Sequence, residues 1–125
     1  MMEAGAVIGS GGDAIFWHAP SGRRGGALPD SRELWDVLWQ NRAAIQGFAH
    51  SHPGSGVPGP SYEDVTTFAA VEAALGRRLV WWIVSSDRVS VVIWCGPDKL
   101  SYAGESVCRE PSWVKKLREL SEIQP

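Results

Sequence analysis

The sequence predicts an α/β fold, a mixed β-sheet sandwiched by helices. Three observations carry it. Short apolar runs with strand character recur along the chain, most of them joined by brief polar turns that mark hairpins. Two of the intervals between strand runs are instead filled by segments of helical periodicity, which calls for a sheet with both neighbour types. The 125 residues, 44% hydrophobic and 21% charged, are enough to bury one core without disulfide or metal staples, so the expectation is one domain over residues 1–125.

The elements follow in order. Ala4 to Ile8 is small and apolar, Ser10-Gly11-Gly12-Asp13 is a turn, and Ala14 to His18 returns as a second strand. Ala19 to Pro29 (APSGRRGGALP) has no apolar period and forms a surface loop. Asp30 opens a helix in which Glu33 completes a capping-box pattern. Leu34, Val37, Leu38, Asn41 and Ile45 recur at helical spacing with Trp35 and Trp39 beside them, and the helix ends near Ala43. Ala44 to Ser51 is a strand. Ser61 caps a second helix with Asp64 at its third position; Val65, Phe68, Ala69, Glu72 and Leu75 form its stripe and Gly76 stops it. Leu79 to Val84 (LVWWIV) is a buried-type strand, Val89 to Trp94 pairs back across Ser85 to Arg88, and Lys99 to Val107 extends the meander. Pro111 at a first helical position starts a last helix, with Trp113, Val114, Leu117 and Leu120 on one face.

Composition excludes several function classes. Twelve Lys and Arg against fourteen Asp and Glu give a net charge of −2, without the basic excess that drives phosphate-backbone binding, so no nucleic-acid partner is expected. No apolar run reaches the length of a membrane span, and Met1 to Ser10 lacks the parts of a signal peptide. Cys95 and Cys108 match neither a CxxC redox motif nor a zinc ribbon and read as free thiols in a reducing cytoplasm.

The chemistry concentrates at His50-Ser51-His52. Alternate residues of a strand project to one face, so two imidazoles from this segment converge on one metal ion while Ser51 points away. Asp64, in the first turn of the next helix, adds a carboxylate favoured there by the helix dipole. Two imidazoles and a carboxylate suit catalytic zinc, with the fourth position left to water. Between them, Pro53 to Pro60 (PGSGVPGP) gathers glycine and proline into a loop joining the strand end to that helix.

The block His50-Ser51-His52-Pro53 … Ser61-Tyr62-Glu63-Asp64 resembles the JAMM signature (HxHPx6SxxD) of the MPN+/JAB zinc metalloproteases, in their bacterial stand-alone form. The upstream Glu3-Ala4-Gly5-Ala6-Val7-Ile8-Gly9-Ser10 resembles the family's ExxGhhhG pattern more loosely, with Ala6 where glycine is usual and Ser10 for the closing glycine. The resemblance implies an MPN (JAB)-like, cytidine-deaminase-like architecture. It implies Zn2+ on His50, His52 and Asp64, Glu3 as general base, and Ser61 as the hydroxyl that stabilises the oxyanion. The implied reaction is hydrolysis of an amide or isopeptide bond at the C-terminal tail of a ubiquitin-like or sulfur-carrier protein, as deubiquitinase-like processing or deconjugation, beside associated activating or conjugating enzymes. Such a tail of small residues would fit a narrow groove roofed by the Gly/Pro loop. The other reading is a non-catalytic MPN-type protein-binding scaffold, although such scaffolds lose ligands that this chain keeps.

Two departures stand out. Seven residues, Gly54 to Pro60, separate Pro53 from Ser61 where the family has six, and the glycines are expected to absorb the extra one. Keeping the usual distance would instead put Glu63 at the ligand position. The family also has a helix ahead of the strand bearing its glutamate, where only Met1 and Met2 precede Glu3. Elsewhere, His18 reads as a surface histidine rather than a fourth ligand, Arg23 and Arg24 as a solvated pair, and Trp35 and Trp39 as buried. Glu33, the rival base, is explained by capping.

Overall fold

The computed structural model describes residues 2–26 and 28–121. Its elements are β1 (Gly5–Gly9), β2 (Ala14–His18), α1 (Arg32–Gln40), β3 (Ile45–Ser51), α2 (Tyr62–Leu75), β4 (Val80–Val84), β5 (Val89–Trp94), β6 (Tyr102–Ser106) and α3 (Val114–Leu120). The order is the one the sequence patterns give. The strands form one six-stranded mixed sheet, β2-β1-β3-β4-β5-β6. All neighbours are antiparallel except β3 and β4, which run parallel. A parallel pair needs a crossover, and α2 supplies it.

Alternation along the strands divides the core in two. On one face Val7, Trp81, Ile83 and Val92 pack with Leu34 and Leu38 of α1 and with Phe68, Val71 and Leu75 of α2. On the other face Ala6, Ile8, Ala49, Trp82, Val84 and Val89 pack with Trp113, Val114 and Leu117 around α3. Trp81 and Trp82, adjacent in β4, therefore serve opposite layers. Trp81 stacks on Phe68 at 4.1 Å between ring centroids, and Trp82 meets Trp113 edge-on at 5.5 Å.

A buried carboxylate ties the first layer together. Glu72 accepts hydrogen bonds from the Leu79 N–H (2.9 Å), the Trp81 Nε1–H (3.0 Å), Arg78 Nη1 (3.0 Å) and the Tyr102 hydroxyl. One side chain on the apolar stripe of α2 thus joins the helix to β4 and β6. Burial and the bond to Glu72 push the Tyr102 phenol up to about 12.

Several local expectations need correction. The cap of α1 is Ser31, whose Oγ accepts from the Leu34 N–H, and not Asp30. The Asp30 carboxylate instead accepts from the Trp35 indole N–H at 3.0 Å, which removes it from the helix end. The helix stops at Gln40 with Asn41 as C-cap, so Ile45 belongs to β3. Pro111 lies ahead of α3 rather than in its first turn: its carbonyl accepts from the Val114 N–H, and Trp113 is the cap. Trp39 is 53% exposed, with the Arg42 guanidinium 3.8 Å above its ring. The other strand limits move by one residue at most, apart from β6, which is shorter than Lys99 to Val107.

Candidate metal centre

Four elements meet at one end of the sheet. The register places Gly5 of β1 opposite both His18 of β2 and His50 of β3, so the segment ahead of β1 passes beside the end of β3. That segment is held at each residue. The Met2 N–H donates to the Ser121 carbonyl, the Glu3 N–H to the Arg24 carbonyl, and the Ala4 N–H to Ser51 Oγ. Glu3 follows the parity of Gly5 and Val7, onto the face covered by α1 and α2, and it is buried. Ser51, between the two histidines, faces the opposite layer. Its hydroxyl meets Ser121 Oγ at 2.6 Å, and Ser121 in turn donates to the Leu117 carbonyl. The strand that carries both imidazoles is thereby locked to α3 from behind.

The α2 end is set by its cap. Ser61 Oγ accepts from the Asp64 N–H and an Asp64 oxygen accepts from the Ser61 N–H, each at 3.0 Å, a reciprocal capping box. The box fixes the Asp64 carboxylate over the end of β3. Gly54 and Gly56, at φ of 123° and 90°, turn the intervening loop, whereas Gly59 does not adopt a left-handed angle. The loop is tethered to the β4–β5 turn: Ser85 Oγ donates to the Gly56 carbonyl, and the Gly56 N–H donates to Asp87. Asp64, not Glu63, reaches the histidines.

The donor atoms converge. His50 Nε2 and His52 Nε2 are 3.0 Å apart. One Asp64 oxygen is 3.4 Å from His50 Nε2 and the other 3.1 Å from His52 Nε2. Glu3, His50 and His52 offer ligand atoms within 4.8 Å of one another, a cluster that can hold a metal ion. The structure thus brings together all of Glu3, His50, His52, Ser61 and Asp64. Donors about 2.0–2.1 Å from a tetrahedral ion stand roughly 3.3–3.4 Å from each other; His50 Nε2 and one Asp64 oxygen are at 3.4 Å, while His52 Nε2 is 3.1 Å from the other oxygen and 3.0 Å from His50 Nε2. The donor set fits a small divalent cation.

Electrostatics follow from this crowding. Burial raises Glu3 above its ordinary value, and the nearby Asp64 adds to the rise against the opposing pull of the two imidazoles. The hydrogen bond to Asp64 raises His52 against the effect of burial. Burial works to raise Asp64, but its bonds to His50, His52 and the Ser61 N–H outweigh it and hold the carboxyl far below the usual range. These contacts favour the ionised carboxylate.

The site opens into a cavity of about 1010 Å³. Four carboxylates line it, Glu3, Asp30, Glu63 and Asp64, and among the described residues no lysine or arginine does. The Gly/Pro loop does not roof it, since Pro53 alone of that stretch reaches the wall; Gly25, Gly26, Leu28 and Pro29 of the preceding loop do. Tethering to the β4–β5 turn draws the Gly/Pro loop away.

Two residues have roles that the sequence concealed. His18 is buried, 3% exposed, and its Nε2–H donates to the Pro29 carbonyl at 2.6 Å. It closes the base of the 19–29 loop, and burial lowers its pKa. Arg23 is not a free surface cation: its guanidinium donates to the Leu120 carbonyl at 2.9 Å and reaches the Glu3 carbonyl at 3.5 Å. Both contacts come from a loop folding back, which no local pattern announces. Glu33 stays exposed in the first turn of α1. No helix in the described residues is long and apolar enough to cross a membrane. No family model and no curated protein matches the chain, so any kinship rests on the residues themselves.

Proposed function

We propose that the chain is a zinc-dependent metallopeptidase of the JAMM/MPN+ type, with an MPN-like architecture, hydrolysing an amide or isopeptide bond in a protein tail. The observation that carries this reading is the convergence of His50 Nε2, His52 Nε2 and the two Asp64 oxygens at contacts of 3.0–3.4 Å, with the Glu3 carboxylate beside them. Glu3 is within 4.8 Å of both imidazoles but outside ion-pairing distance of either, which suits a base one step removed from the ion rather than a ligand. Zinc bound by His50, His52 and Asp64 would supply Lewis acidity and a water acidified to a pKa of about 7.

The chain's own residues do the rest. Glu3, with its pKa raised by burial, accepts the proton from the attacking water and returns it to the leaving nitrogen. The C–N bond breaks, the acyl carbon keeps the hydroxyl, and the amine leaves with the proton. The Ser61 hydroxyl accepts from the Asp64 N–H, so its own proton is free to donate to the developing oxyanion. Neither Cys95 nor Cys108, both exposed and free, is needed. The acidic cavity attracts the cation.

The test is metal content together with hydrolysis. His52→Ala and Asp64→Ala are expected to lose stoichiometric zinc, and Glu3→Ala to retain zinc while losing turnover by at least a hundredfold. Zinc retained by both ligand variants would overturn the assignment. A chelator should abolish activity and a thiol alkylator spare it.

A further inference from the structure

Glu3 is the first residue beyond the sheet pairing. β1 meets β3 from Gly5 onward, and Ala4 still exchanges bonds with Ser51. Both polar groups of the Glu3 backbone turn instead to the 19–29 loop. Its N–H donates to the Arg24 carbonyl at 2.9 Å, and its carbonyl faces Arg23 Nη1 at 3.5 Å. The residue whose carboxylate stands beside the imidazoles is therefore seated by a loop and not by the sheet. That loop has little side-chain packing of its own there. Gly22, at φ of 83°, and Gly26 have open space where a side chain would stand, and Arg24 is exposed. Among the described residues 19–26, Arg23 alone makes a side-chain hydrogen bond. Its guanidinium donates to the Leu120 carbonyl at 2.9 Å, in the last turn of α3, where a helix leaves carbonyls without partners of its own.

We propose that Arg23 is a positioning residue for Glu3. Its bond to the end of α3 fixes the adjoining Arg24 carbonyl, and that carbonyl fixes the backbone from which the Glu3 carboxylate reaches the candidate metal site. This rests on the metallopeptidase reading and adds to it a residue that touches neither substrate nor ion. A misplacement of about 1 Å at a reacting group costs on the order of a hundredfold in rate, so an anchor governs the chemistry without meeting it. The same loop supplies Gly25, Gly26, Leu28 and Pro29 to the cavity wall. One segment thus shapes the cavity and seats the base.

Acetohydroxamate tests this without a known substrate. It binds zinc as the anion, and the proton it sheds needs an acceptor beside the ion, the place of the Glu3 carboxylate. Full-length, zinc-loaded protein is titrated calorimetrically as the native chain, Glu3→Gln, Arg23→Met and the double variant. Methionine keeps an unbranched stem and removes the donors. All are expected to hold stoichiometric zinc. Glu3→Gln should weaken acetohydroxamate at least tenfold and Arg23→Met at least fivefold, while Arg23→Lys stays near the native value. In the Glu3→Gln background Arg23→Met should have no further effect, because its action passes through Glu3. A merely structural arginine would weaken both backgrounds equally. Hydrogen exchange adds a readout independent of the ion: the Glu3 N–H should exchange at least tenfold faster in Arg23→Met, with the amides of Val7 and Ile8 unchanged. If Arg23→Met does not fold, Arg23→Gln, with its shorter side chain, carries the same expectations. Unchanged affinity in Arg23→Met, an equal loss in both backgrounds, loss of zinc, or native protection of the Glu3 N–H would each overturn the role of Arg23 and leave the metallopeptidase reading standing. A native chain that binds no zinc, or that binds acetohydroxamate no tighter than Glu3→Gln, would overturn that reading and the role of Arg23 with it.

Discussion

Asp64 shows how one residue serves fold and chemistry at once. Its backbone N–H and one carboxylate oxygen complete the cap of α2, while the same carboxylate faces two imidazoles. The pairing has a pH consequence. Zinc binding needs both imidazoles neutral, and the hydrogen bond to Asp64 raises His52 above its ordinary 6.5. Protons therefore compete with the metal from a higher pH than for an isolated histidine. Apparent zinc affinity should fall by up to about tenfold per pH unit once pH drops below that raised value; competition titrations with a chromophoric chelator would check it. In the metal-free protein the sign reverses. The stability that His52 contributes is full below its unfolded pKa and is lost as pH rises through the folded one. Glu72 is the other residue whose removal should tell. Glu72→Ala leaves the Leu79 and Trp81 N–H groups buried without their acceptor, and should cost about 3–5 kcal/mol in denaturant unfolding.

At the scale of elements, legibility tracked the range of the forces involved. Ser61 and Asp64 were readable because a capping box is closed within three residues, and the β2 and β5 limits because alternation is local. The cap of α1 was misplaced because Asp30 and Ser31 are both good caps. The choice between them fell to the Trp35 indole, a side-chain partner outside the capping pattern. His18 read as a surface residue because the loop that buries it returns only at Pro29. The convergence of His50, His52 and Asp64 was legible as spacing. The cavity wall was not, because it is built by the 19–29 loop and by two helices whose distance no sequence pattern encodes. One backbone feature of β3 was equally hidden. A Cβ on Gly47 would sit 1.6 Å from the Val80 carbonyl oxygen across the parallel ladder. Gly47→Ala should therefore cost about 3 kcal/mol or more, measured by the midpoint of thermal or urea unfolding, with zinc content falling alongside because His50 shares the strand.

Across the whole molecule, labour is divided between the two faces of the sheet. The α3 layer is packed around Trp113, Val114 and Leu117 and braces the ligand strand from behind through Ser51 and Ser121. The layer of α1 and α2 leaves the cavity open. The site is also assembled from unequal distances along the chain. His50, His52 and Asp64 belong to the single β3–α2–β4 unit, whereas Glu3 arrives only when β1 pairs with β3. Under the proposed function, a state that undocks β1 would leave the cation without the Glu3 carboxylate, so fraying of that strand would silence hydrolysis while sparing metal binding.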